Sequence, residues 1–176
     1  AGSTKAPSIA KQIMVSDRDR HIIAFGCDPE ANAGVQDPLV IRFSSQESLT
    51  DWESTATNTA GELRLGSGSE IVTAVETRQQ ILVYTDESLY AMQFLGPPFT
   101  FGVNLVSENI TTMGPLSAVA VEDNVFWMGL KEFYVYGGTV QRLPCSVRDF
   151  VFDDFNLLQR EKVVAATSTA FSEVWW

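Results

Sequence analysis

The feature that most constrains this chain is that it repeats. "ILVYTDESLYAM" (81–92) and "VFWMGLKEFYVY" (125–136) share one outline: four apolar residues, a four-residue polar or turn-like link, then a hydrophobic residue followed by tyrosine. Leu89-Tyr90 falls on Phe133-Tyr134, 44 positions on. Upstream, "TAVE" (73–76) matches "VAVE" (119–122) at 46 positions, and the difference of two is assigned to the turn, where "TRQQ" is longer than "DN". A third copy begins at Val163, with Val174-Trp175-Trp176 set against Val125-Phe126-Trp127 at 49 positions. A weaker relative lies N-terminal, where 22–25 follows a strand and the charged turn "SDRDR".

Repeats of roughly 40–50 residues holding about four short strands each are the mark of β-propeller blades, small twisted sheets that bury their faces only by stacking on one another. Inner strands in such a stack meet neighbours on both sides and read as continuously apolar, as "VFWM" and "ILVY" do. The expected fold is therefore all-β, a partial propeller of short antiparallel four-stranded blades, with a β-sandwich as the alternative. Residues 1–12 read as a flexible lead-in and 13–176 as one propeller-like domain. Its blade-like units fall near 13–65, 70–107, 117–143 and 163–176, the last incomplete. Because the pattern stops at Trp175-Trp176 inside a strand, a segment of a longer polypeptide is expected. Consecutive prolines cannot sit in a central strand, so "LGPPFTFG" reads as a break and a rigid connection between blades. Only 147–162, "VRDFVFDDFNLLQREK", has apolar spacing near a helical period, with Asp153-Asp154 placed to cap and begin a short helix.

Composition agrees with a packed β protein: 45% hydrophobic, 19% charged and 11% aromatic residues. The net charge of −10 argues against a surface whose main task is neutralising phosphates, while leaving room for a passage that repels DNA and lets it slide. Cys27 and Cys145 form no CxxC pair, and with a single histidine they complete no zinc site; two free buried thiols are expected in preference to a long-range disulfide. No apolar run reaches the roughly 18 residues of a bilayer span, and "AGSTKAPSIAKQ" lacks the apolar core of a signal peptide.

Each candidate for chemistry has a plainer reading. His21, beside "DRDR", reads as an exposed turn residue and not as a catalytic base. Neither "DRD" (17–19) nor "FDDF" (152–155) has the spacing of a calcium loop, so these read as a solvated turn and a helix cap. "GSGS" (66–69) lacks the lysine and spacing of a phosphate loop, and "NIT" at Asn109 is a chance sequon. "GPPF" (96–99) reads as a connection, not a polyproline ligand. No residue is assigned a catalytic, cofactor-binding or metal-ligating role, and no cofactor is expected. Because the aromatic hairpin recurs, Phe126, Trp127, Phe133 and Tyr134 read as packing residues and not as a ligand platform. Strands 125–128 and 133–136 are expected to pair antiparallel through 129–132, with Trp127 buried.

At "RDRHIIAFGCDP", "IRFSSQESLTDWE", "GSEIVTAVETRQQILVYTDESLYAMQFLGPPFTFG" and "VFWMGLKEFYVYGGTVQRLPCSVRDFVF" the sequence resembles a family of bacteriophage virion structural proteins. These look related to tail nozzle or tail tubular components of short-tailed phages. The resemblance covers roughly residues 13–176. It implies β-propeller regions, longer proteins, a homo-oligomeric ring (a hexamer) around the DNA exit path, and no catalytic motif. The expected function is then a structural component of a phage tail, nozzle, tubular or head-to-tail adaptor-associated, made in the host cytoplasm and placed in the virion. Its partners would be its own copies and other tail proteins, with DNA passing unread and no membrane span. A virion-associated propeller enzyme acting on glycans and a generic propeller interaction module are the alternatives. The loops 26–38 and 96–102, both long and rich in Gly or Pro, are the candidate contacts and are expected between blades.

Overall fold

The computed structural model describes residues 5–176. Among the described residues fourteen strands follow one another with little helix between them. They form three four-stranded antiparallel sheets, each in simple sequential order, and one two-stranded sheet. The first sheet is β1 (Gln12–Ser16), β2 (His21–Phe25), β3 (Val40–Phe43) and β4 (Gly61–Arg64). The second is β5 (Ile71–Glu76), β6 (Ile81–Thr85), β7 (Ser88–Gly96) and β8 (Thr100–Glu108). The third is β9 (Ala118–Val121), β10 (Asn124–Met128), β11 (Phe133–Tyr136) and β12 (Val140–Arg142); β13 (Ala166–Ser168) and β14 (Glu173–Trp175) pair alone.

The sheets stack in series, as propeller blades do. Their first strands lie side by side: β1 against β5, β5 against β9, and β9 against β13. Gln12 fastens the first of these contacts. Its side-chain amide donates to the Ala74 carbonyl at 2.9 Å and accepts from the Ala74 N–H at 2.8 Å, as a strand residue would. Further along, Ser16 donates to Glu76, so β1 and β5 run in the same direction.

Strand periodicity explains how each sheet serves two neighbours. In β6, Ile81 and Val83 point back into a core shared with Ile23, Phe25, Ile41 and Phe43 of the first sheet. Leu82 and Tyr84 point forward, with Leu89 and Ala91, against Val125, Trp127 and Tyr136 of the third sheet. All five residues of β6 are buried. A two-layer sandwich covers each sheet on one face only; here the second sheet is covered on both.

The repeat is visible in the register. Ile81 opposes Met92 and Tyr84 opposes Leu89; 44 positions on, Val125 opposes Tyr136 and Met128 opposes Phe133. The hairpin expected at 125–136 is thus present, with Trp127 wholly buried. One detail is corrected. Val75 opposes Leu82 and Val119 opposes Phe126, so the first strands also repeat at 44 positions and the "TAVE"/"VAVE" match is two residues out of register. A slip of two keeps every side chain on its own face, which is why the sequence match still looked sound.

Other expectations are also revised. Prolines 97 and 98 lie at the tip of the β7–β8 hairpin, where Gly96 opposes Thr100, so "GPPF" joins two strands of one sheet and does not link blades. The strand after it, β8, was hidden by the prolines. The loop 26–38 likewise joins β2 to β3 within the first sheet. In the lead-in, residues 1–4 lie outside the described residues, but the stretch from Lys5 onward is tied down. The Asp28 carboxylate accepts from the Ser8 N–H and hydroxyl and from the Ile9 N–H at 2.8–3.0 Å. The helix expected over 147–162 is two short pieces, α1 (Arg148–Asp153) and a 3-10 turn (Leu157–Lys162). Asp153 ends the first; the second is capped by Asn156, whose side chain accepts from the Leu158 N–H.

Candidate functional site

Most residues singled out for chemistry serve the scaffold. His21 is not exposed: it opens β2 and is buried among Phe43, Phe94 and Phe101, with ring centroids 5.1–6.4 Å away. Its parity explains this, since His21, Ile23 and Phe25 share the inward face of one strand. Nδ1 lies 2.6 Å from the Asp19 carbonyl, which only accepts, so Nδ1 carries the proton. Nε2 faces the Thr59 hydroxyl at 3.3 Å.

Burial, the main cause, holds the His21 imidazole below its ordinary value of 6.5, against the raising effect of the Asp19 carbonyl and charge. The unfolded chain therefore binds this proton more tightly. The contribution is complete above the unfolded value and is lost as the pH falls through the folded one. A thermal midpoint that drops between about pH 7.5 and 5.5 is expected, with a flatter profile in His21→Gln. Equal slopes in both proteins would dismiss the effect.

Within "DRD", Asp17 and Arg18 are exposed but Asp19 is buried and paired with Arg18 at 2.5 Å, so the turn is solvated except at Asp19. Asp153 and Asp154 are exposed. "GSGS" packs on the β6–β7 turn. The Ser69 N–H and hydroxyl donate to Asp86, and a Cβ on Gly68, which has φ +99°, would lie 2.6 Å from Thr85. Asn109 sits exposed after β8 in the left-handed region that Asn tolerates. Cys27 is free and buried, and Cys145 is free and half-buried. Burial, chiefly, pushes the Cys27 thiol up to about 12, outweighing the nearby Arg42 charge. Among the described residues no group of three or more His, Cys, Asp or Glu is placed to hold a metal, and no helix is long and apolar enough to cross a membrane.

Two polar keystones escaped the sequence reading. Arg42, inside the apolar run "LVIRF", is 2% exposed on the rear face of the first sheet. Its guanidinium donates to the carbonyls of Lys5, Asp28 and Trp52. Beside it, burial would raise the Asp28 carboxyl, but hydrogen bonds from the Gly34 and Ile9 N–H groups and from Ser8 hold it down at about 2. A lone charge in a strand run was the available signal for Arg42; Asp28 gave none.

What remains as a site is a surface. On the forward face of the third sheet, Met113, Met128 and Phe133 are covered by residues from 143–163, among them Val151, Phe152 and Phe155. The cover is incomplete. A pocket of about 480 Å³ lies between Met128, Phe133, Phe155, Val163 and Trp176, and one of about 250 Å³ lies across Phe133 by Leu143 and Cys145. In the same part of the chain Phe150, Leu158, Phe171 and Trp175 are 87%, 96%, 74% and 61% exposed. Large exposed apolar residues in this number are the kind of feature that interaction surfaces and ligand grooves share. The loop 26–38 keeps Cys27 and Asp28 buried and presents 31–36 and Pro38 to solvent. The β7–β8 tip presents Phe99.

Compared with known proteins, the chain matches no family model and no curated sequence.

Proposed function

We propose that this protein works by assembly, as a structural component of a bacteriophage tail that forms part of the DNA exit conduit. The observation that carries this reading is the exposed apolar surface of 147–176, led by Phe150, Leu158, Phe171 and Trp175. Solvated, it is a liability; against neighbouring tail proteins or further copies of the chain it is an interface. The propeller-like stack and the sequence resemblance to tail nozzle and tubular proteins supply the context. The net charge of −10 suits a passage in which like-charge repulsion keeps a duplex from adhering.

The test is assembly state in the native particle. Mass photometry and electron microscopy of gently disrupted virions should find the protein in a symmetric ring, and Phe150→Ser with Leu158→Ser should shift it toward free protomers. A monodisperse monomer in the same extracts would count decisively against this role.

A further inference from the structure

We propose that the tip of the β7–β8 hairpin is a latch released by acid: protonation of His21 detaches the stretch 94–101 from the first sheet while the sheets themselves stay folded. The inference is independent of the assembly reading.

The hairpin outgrows its sheet. β7 and β8 have nine residues each, whereas the other strands have three to six. Pairing of β6 with β7 stops at Met92, and beyond it β7 and β8 continue together as a ribbon of two strands to Gly96 and Thr100. Such a ribbon is marginal by itself, so its position is set by what it rests on. On the forward side the Gln93 amide donates to Gln80 at 2.9 Å, and past it Leu95 is 59% exposed. On the rear side Phe94 and Phe101, which oppose each other in register, join the core shared with the first sheet.

The group they rest on can titrate. The His21 ring lies 5.7 Å from Phe94 and 5.1 Å from Phe101, and Phe43 beside it lies 4.9 Å from Phe101. His21 and Phe101 are both buried. With the proton on Nδ1, Nε2 accepts from the Thr59 hydroxyl, whose oxygen accepts in turn from the Gln46 N–H at 2.7 Å. A second proton on Nε2 reverses the first of these bonds. Nε2 must then donate to Thr59, and the Thr59 hydroxyl proton loses its acceptor.

Little charge is at hand to compensate an imidazolium. Residues 88–107 contain no charged side chain, and β3 contributes Phe43. Asp19, on the turn before β2, is the charge that acts on His21, and Arg18 already pairs with it. Arg20 on the same turn meets Glu47 of the 44–60 loop, and Glu76 of β5 accepts from Ser16, the register partner of His21. The charged ring is therefore relieved by reaching water. Of its aromatic neighbours, Phe43 is held in a four-stranded sheet and Phe94 and Phe101 in the two-stranded ribbon, so the ribbon yields.

Backbone amide exchange of the full chain, corrected for the intrinsic rate at each pH, reads the opening. Protection over 94–101 is expected to fall about tenfold between about pH 7.5 and 5.5, the rise in protonation of an exposed imidazole across that interval. At the lower pH it should stand at least about tenfold below that of β6 and respond little to added urea, as a local opening does. His21→Gln should make the 94–101 profile flat. His21→Phe, which keeps a ring among Phe43, Phe94 and Phe101, gives the same flat profile should His21→Gln fail to fold. Both variants retain Asp19, Glu47 and Glu76, so a slope that survives in them overturns the proposal. A flat profile in the unaltered chain overturns it as well, and so does equal protection and equal urea response at 94–101 and β6, which would mean that the tip opens by global unfolding alone.

Discussion

Replacing Trp127 with alanine is expected to destabilise the fold by about 3–5 kcal/mol, the range for deleting a buried large aromatic. Trp127 is wholly buried where the second and third sheets meet. It stacks on Tyr134 at 5.2 Å and 19° and meets Tyr84 edge-on at 5.3 Å. The loss would be one of packing, because among the described residues neither the Trp127 indole nitrogen nor the Tyr84 hydroxyl has a hydrogen-bond partner. Burial accordingly keeps the Tyr84 phenol well above its ordinary value. That gives a sharp control. Tyr84→Phe removes a buried orphan hydroxyl and should be neutral or mildly stabilising, whereas Trp127→Ala should shift the urea midpoint strongly at constant slope. A loss below about 1 kcal/mol would mean that the sheets do not depend on this contact, since ordinary surface changes reach half of that.

Arg42→Ala is expected to cost about 3 kcal/mol, because three carbonyls, two of them in buried bonds, lose a charged donor at once. The guanidinium reaches Lys5 at 2.6 Å, Trp52 at 3.2 Å and Asp28 at 3.4 Å, joining the lead-in, the 44–60 loop and the β2–β3 loop over the rear of the first sheet. Arg42→Lys should recover little, since one ammonium cannot reproduce a planar fork aimed three ways. Stability alone would not separate this clamp from lost packing, so the readout is local: limited proteolysis should accelerate at residues 5–11 in Arg42→Ala before global unfolding. Cleavage confined to the β7–β8 tip in both proteins would overturn the clamp.

Particular residues show what the sequence revealed and what it hid. The β6–β7 and β10–β11 hairpins were legible because both place four apolar residues before the link and a hydrophobic–Tyr pair after it, at the same spacing. β8 was hidden, since it follows two prolines and leaves Asn104 and Leu105 exposed at the rim, weakening the strand pattern. His21 was misread from its polar neighbours in sequence, whereas its pairing with Ser16 and its parity with Ile23 decide its place. The candidate surface was the least legible. Phe126 and Leu82 look alike in sequence, and only the arrangement of sheets in space leaves one covered and the other half in water.

Burial of the second sheet on both faces also decides how the molecule comes apart. Leu82 and Val83 are each wholly inaccessible, one against each neighbour. The middle sheet therefore draws stability from both adjoining layers, as in a one-dimensional lattice with nearest-neighbour coupling. Loosening an outer layer exposes apolar residues of the middle one, which then loses its reason to stay folded. Cooperativity in this protein is thus a property of the interfaces between sheets and not of the hydrogen-bonded sheets themselves.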